Sequence, residues 1–215
     1  MSIRTTLIVL ILLTLLSLGL SFWAAPRLPE MVPSHWNAAG QINGYAPRTS
    51  ALWLMPLMII GTGLLLLFLP RIDPLRKNID AFRPAYHWIV VTLAAFLVYL
   101  HGLTLLAGLG IAFNMTYSLI PAESVLLVVI GFVTERARPN WFIGIRTPWT
   151  LSSPTVWEKT HRLGGLVFKI AGVLTLVGLA LPELIGMYFS IVPLTIAVLI
   201  PTVYSYLLYQ NEQKH

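Results

Sequence analysis

Residues 140–165 read N-W-F-I-G-I-R-T-P-W-T-L-S-S-P-T-V-W-E-K-T-H-R-L-G-G. Three tryptophans and two prolines in one polar stretch, with Gly144 among them, describe a loop with a specified shape rather than a tether. Gly144 allows a turn, and Pro148 forces Thr147 into extended backbone. Ser153-Pro154 supplies an N-cap and first-turn proline, so a helix starts there with Glu158 in its first turns. Trp157, His161, Gly165 and Phe168 are spaced four, four and three apart and share one face of that helix. Glu158 and Arg162 stand four apart on the neighbouring face, in position for an ion pair. On either side of this loop the chain is apolar. That contrast decides the fold: the rest is a membrane scaffold that holds the loop.

Working outward, the apolar runs are long enough to cross a hydrocarbon core of roughly 30 Å as helices. They span about Thr6–Ala25, Ala51–Leu69, Ala85–Leu109, Tyr117–Thr134, Leu163–Leu181 and Ile185–Tyr209. The first is too long for the apolar core of a secretory signal and lacks a small-x-small cleavage site, so it reads as a retained anchor. Hydrophobic residues make up 57% of the 215 and charged residues only 10%, against about 25% charged in soluble domains. The expected fold is all-α, a single polytopic membrane domain over residues 1–215 with six transmembrane helices. Cysteine is absent, which removes disulfides and thiol chemistry.

The net charge of +6 is explained by topology. Arg4, Arg71, Arg76, Lys77, Arg83, Arg136, Arg138, Arg146, Lys159, Arg162, Lys169 and Lys214 fall at one side of the membrane, and only Arg27 and Arg48 at the other. By the positive-inside rule the loop of about 135–162 and both termini are cytoplasmic. The loop of about 26–50 then faces outward, and direct nucleic-acid binding is not needed to account for the charge.

The outer loop carries P-S-H-W-N-A-A-G-Q-I-N-G-Y over residues 33–45. Its candidate binding or sensing residues are His35, Trp36, Asn37, Gly40, Gly44 and Tyr45. Asn43-Gly44 is a type I′ turn signal, so a small hairpin or compact turn is expected there. His35 has no second ligand at metal spacing, so no metal is assigned. In the inner loop the candidate binding or signalling residues are Asn140, Trp141, Gly144, Arg146, Thr147, Pro148, Trp149, Trp157 and His161. Interfacial anchoring accounts for Trp and Arg individually. It accounts less well for the placed Gly and Pro, which a binding or signal-transmitting surface would require.

Other chemistry has little to stand on. No zinc-protease, nucleophile-elbow, P-loop or paired-aspartate signature occurs, so no catalytic residue and no cofactor are assigned. His101, deep in the third span, reads as hydrogen-bonded to a neighbouring helix or, alternatively, as a proton relay. No carboxylate sits at a mid-membrane position, which weighs against an ion-coupled transporter. A transporter of a small or amphipathic substrate, using His101 and the Pro193/Pro201 kinks, is the alternative. A membrane-embedded enzyme using His35 is the weaker one.

The 140–165 segment resembles the signature of the SdpI-type bacterial immunity proteins. The 33–45 segment is similar to the small domain of unknown function that commonly precedes that signature, except that Asn43 stands where Asp is more usual. The resemblance implies a multi-pass protein of the bacterial plasma membrane, not an enzyme, that confers resistance to a secreted membrane-active toxic peptide. It further implies signal transduction, in which toxin engagement lets the protein sequester a small helix-turn-helix autorepressor at the membrane. On that pattern the outer loop would sense the toxin and the inner loop would dock the repressor.

Overall fold

The computed structural model describes residues 1–37 and 40–214. Ala38 and Ala39 of the outer motif lie outside the described residues. Six helices are long and apolar enough to cross a membrane. They are α1 (Ile3–Ala24), α2 (Arg48–Ile72), α3 (Arg76–Gly108), α4 (Met115–Thr134), α6 (Pro154–Thr175) and α7 (Glu183–Glu212). The α6 rod continues as a 3-10 turn through Leu176–Ala180. A two-stranded antiparallel hairpin, β1 (Met31–Trp36) and β2 (Ile42–Pro47), joins α1 to α2, and a short helix α5 (Pro148–Ser152) lies between α4 and α6. The six-span, all-α expectation holds, with the hairpin as its one β element among the described residues.

Burial is inverted relative to a soluble protein. Leu57, Leu64 and Val173 are more than 60% exposed, while Thr6, Ser17, Ser21, His101, Thr175 and Ser205 are 1% exposed or less. Lipid solvates the outward Leu and Val surfaces, so the polar side chains turn inward, where most find helix partners, although Ser17 Oγ and His101 Nδ1 have none among the described residues. Thr175 Oγ1, for example, donates to Ala171 O at 2.9 Å.

The helices pack as two sets of three. In one set α1, α2 and α3 contact one another; in the other α4, α6 and α7 do, and α3 against α4 joins the sets. The α4–α6 crossing is close because glycines face backbone. A Cβ on Gly165 would stand 2.8 Å from Gly131 O and 3.0 Å from Glu135 Cα, and one on Gly172 would stand 2.8 Å from Ser124 O. Only glycine lets two membrane helices approach so closely. Lys169, on the same helix, extends toward the polar end, where its Nζ reaches Glu135 at 2.8 Å.

Three expectations need correction. The hairpin exists, but its turn lies at Asn37–Gln41, where Asn37 N donates to Gln41 O and Gly40 has φ +65°. Asn43 and Gly44 belong to β2 instead. Gly44 is there because a Cβ would come within 2.9 Å of His35 Cβ across the ladder. Second, α3 begins at Arg76, nine residues before the expected start, and passes a non-helical Phe82 (φ −120°, ψ 16°) just before Pro84. The proline removes a helix donor and the chain bends instead of stopping. Third, among the described residues Glu158 and Arg162 form no ion pair, both side chains being exposed.

Candidate functional site: a folded loop at the basic end

The 135–153 segment folds onto four helices. Asn140 is its centre. Fully buried, its Nδ2 donates to Arg138 O (2.8 Å) and Ile143 O (2.9 Å), and its Oδ1 accepts from Phe142 N (2.9 Å) and Ile143 N (2.6 Å). One side chain therefore closes the turn, as Asn side chains do when they substitute for backbone partners. Gly144 leaves this turn at φ +107°, and a Cβ there would run into the His161 ring. Here glycine is required twice over, by backbone and by space.

His161 receives the next residue. Its Nε2 accepts from Ile145 N (2.9 Å), and its Nδ1 donates to Trp157 O (2.8 Å). A carbonyl only accepts and an amide N–H only donates, so the ring is neutral with the proton on Nδ1. Trp157 is 1% exposed, stacks on His161 at 3.9 Å between centroids, and donates Nε1–H to Ala137 O at 2.8 Å. The expected common face of Trp157, His161, Gly165 and Phe168 is buried throughout. These two aromatic residues are clamps that hold the loop to α6.

Beyond Gly144 the segment is extended at Thr147 (φ −92°, ψ 160°), as Pro148 demands, and then forms α5. Thr147 and Thr150 make a reciprocal capping box: Thr150 N donates to Thr147 Oγ1 (3.1 Å) and Thr147 N to Thr150 Oγ1 (2.9 Å). Thr147 Oγ1 also pairs with Ser205 Oγ of α7 at 3.0 Å, and Trp149 packs on Tyr206 with centroids 5.0 Å apart. On the other side, Asp73 ties the loop to the α2–α3 turn. Its carboxylate accepts from Leu75 N (2.6 Å) and Trp141 N (2.9 Å), while Asn78 Nδ2 donates to Pro139 O (2.7 Å).

Of the nine inner residues picked from sequence, Asn140, Gly144, Thr147, Trp157 and His161 build the loop. Trp141 and Arg146 display it: Trp141 is 52% exposed, and Arg146 Nη1 donates to Trp141 O at 2.6 Å. Pro148 starts α5, and Trp149 faces α7. Sequence reasoning missed Asp73, Asn78, Thr150, Ser205 and Tyr206. Asp73-Pro74 between two spans was the available signal for the first.

At the opposite end, the hairpin holds His35, Trp36, Asn37, Gly44 and Tyr45. His35 Nδ1 donates to Asn43 Oδ1 at 2.6 Å, and Asn37 Oδ1 accepts from Gln41 N at 3.0 Å. Trp36 faces Ile42 across the ladder and Tyr45, 59% exposed, faces Pro33. Beneath the hairpin, Val32 and Leu28 pack with Ala24, Leu52 and Leu105. Gly40 at its tip lies against the other set of helices: a Cβ there would run into the Glu183 carboxylate at the start of α7 and stand 3.5 Å from Thr116 Oγ1. His101 is no part of either loop. It is wholly buried, and its Nε2 pairs with Ser21 Oγ of α1 at 3.1 Å.

Comparison with known proteins now bears on both ends. Residues 136–205 match the SdpI/YfhL protein family, and residues 12–60 match a domain of unknown function, DUF1648. The folded loop lies in the first match and the hairpin in the second. The immunity protein SdpI of Bacillus subtilis (strain 168) is 28% identical over 212 residues, covering 95% of this chain and 96% of that protein. No solved structure matches the chain.

Proposed function

Starting from a multi-pass membrane chain of SdpI type, matched in both its motifs, we propose that it is an immunity protein. It protects a bacterium against a secreted membrane-active peptide, with the hairpin as the sensing surface outside and the Asn140–His161 loop as the signalling surface inside. The basic end is cytoplasmic, by the positive-inside asymmetry. One observation carries the two-surface reading. Helix α7 touches both: Glu183 at its start meets the hairpin at Gly40, and Ser205 and Tyr206 near its end meet Thr147 and Trp149. A continuous helix in contact with both loops, with Pro193 and Pro201 inside it, is a physical route for coupling. The inner partner is a small helix-turn-helix autorepressor, captured on the face that displays Trp141 and Arg146.

A transporter gains no support from His101, which is sealed against Ser21. The test is survival. A peptide-sensitive bacterium expressing the intact chain outlives challenge with secreted membrane-active peptides. The Arg146→Ala, Trp149→Ala double variant at equal membrane abundance loses that protection. Equal protection by the variant would remove the inner loop from the mechanism, and none by the intact chain would remove immunity.

A further inference from the structure

A large cleft lies not in either loop but behind the inner one. About 800 Å³ in volume, it opens at the basic end between the start of α3 and the start of α6, with the end of α4 as its floor. Helix α4 packs on both α3 and α6, so the cleft marks the seam between the two sets of helices. Its polar rim carries Arg136, Arg138, Arg162 and Glu158, and its membrane side carries Trp88 and Phe132.

The cations are available. Among the described residues neither Arg138 nor Arg162 donates a side-chain hydrogen bond to the protein or forms an ion pair, and both are exposed. Arg136 lies over the Phe132 ring at 3.8 Å and donates Nη1–H to Phe132 O at 3.0 Å. That leaves most of its five donors unused. Of the two carboxylates on the lining, Glu135 is occupied by Lys169 at 2.8 Å and by Arg136 at 3.5 Å. Arg138 and Arg162 thus face one unpaired acid, Glu158, with the Glu135-paired Arg136 beside them. We propose that this cleft binds the phosphodiester headgroup of an anionic phospholipid, holding it across the seam between the two halves of the bundle.

Chemistry selects that ligand. Guanidinium groups match phosphate oxygens with paired donors. A zwitterionic headgroup would bring its ammonium against the same arginines. The apolar membrane side, with Trp88 48% exposed, gives the glycerol and upper acyl chain a surface that a soluble anion would not use. Basic pockets between membrane helices on the cytoplasmic side are suited to such headgroups. Trp157 and His161 also border the cleft, so the bound lipid would lie against the back of the inner loop. The proposal does not depend on the immunity reading.

The test uses the purified full chain in neutral detergent, with the thermal midpoint and native mass spectrometry as separate readouts. Dioleoyl phosphatidylglycerol is expected to raise the midpoint by several degrees and to remain bound in the gas phase, because a ligand of the folded state stabilises it. Dioleoyl phosphatidylcholine and inorganic phosphate should do neither. Arg138→Gln, Arg162→Gln removes two side chains with no protein hydrogen bond, so the variant folds, and it should lose both effects. Arg76→Gln, Lys77→Gln, at the same end but off the cleft, should keep them. No response to phosphatidylglycerol would overturn the proposal. So would equal loss in both variants, which means diffuse attraction, or an equal response to inorganic phosphate, which means a soluble-anion site.

Discussion

Asn140→Ala separates a loop that folds as a unit from one that is merely draped on the helices. The native amide makes four hydrogen bonds to the turn, at 2.6–2.9 Å, in a position with no solvent exposure. Each neutral hydrogen bond contributes about 0.5–1.5 kcal/mol net, and a buried group left unpaired costs about 1–3 kcal/mol. Water can reach part of the opened turn, so a loss of about 2 kcal/mol is the conservative figure for four bonds. At 1.4 kcal/mol per factor of ten this is about a 30-fold rise in the loop's opening constant. Amide hydrogen exchange reads it. The informative amides are Trp141 and Ile145, whose acceptors, Asp73 and His161, the substitution leaves untouched. Both should lose protection by about that factor while amides inside α4 and α6 do not change. Unchanged protection at Trp141 and Ile145 would refute the idea that Asn140 organises the segment.

Further outcomes follow from other contacts. Gly165→Ala places a Cβ against the α4 backbone and should cost about 1–3 kcal/mol, seen as a lower thermal midpoint in detergent. Gly61→Ala, with nothing within 4 Å, should cost nothing measurable. Nitrogen NMR of labelled protein at neutral pH should find His161 neutral with its proton on Nδ1; an imidazolium or the other tautomer would contradict the Ile145 and Trp157 contacts. The Lys169 ammonium, by hydrogen bond and then by charge, holds the exposed Glu135 carboxyl below its ordinary range. A depressed carboxyl stabilises the fold above its unfolded value and loses that contribution as pH falls through the folded one. Lys169→Met should therefore lower the thermal midpoint slightly at pH 7, with the difference from the parent disappearing in acid. The pair is exposed, so the effect should stay under about 1 kcal/mol.

The scaffold was legible because lipid leaves a coarse mark on composition: six apolar runs gave six helices. Helix ends were less so. Arg76 to Arg83 looked like a charged connector, yet it is helical, because Ile79 and Phe82 bury on one side while Arg76 and Asp80 stay in water. The hairpin turn was misplaced because Asn43-Gly44 signals a turn by backbone preference, whereas Gly44 is there for its missing side chain beside His35. In the inner loop, local signals worked: Pro148, Ser153-Pro154 and the Trp157–Phe168 face were all readable by spacing. What spacing could not reveal was tertiary partnership. Asp73 and Ser205 lie more than fifty residues from Trp141 and Thr147, and nothing local marks them as partners.

Coupling between the two loops is the claim on which the proposed function rests. Trp141→Cys gives a cysteine-free chain a single labelling site on the displayed face of the loop. The hydrogen bonds of residue 141 to Asp73 and Arg146 run through its backbone and survive the change. The labelled protein in vesicles is then exposed, on the hairpin side alone, to a peptide against which the chain protects. A saturable change in the label's fluorescence, lost in a Ser205→Ala, Tyr206→Ala variant that still binds the peptide, is the predicted result. Saturable peptide binding with no change at the label would contradict the account.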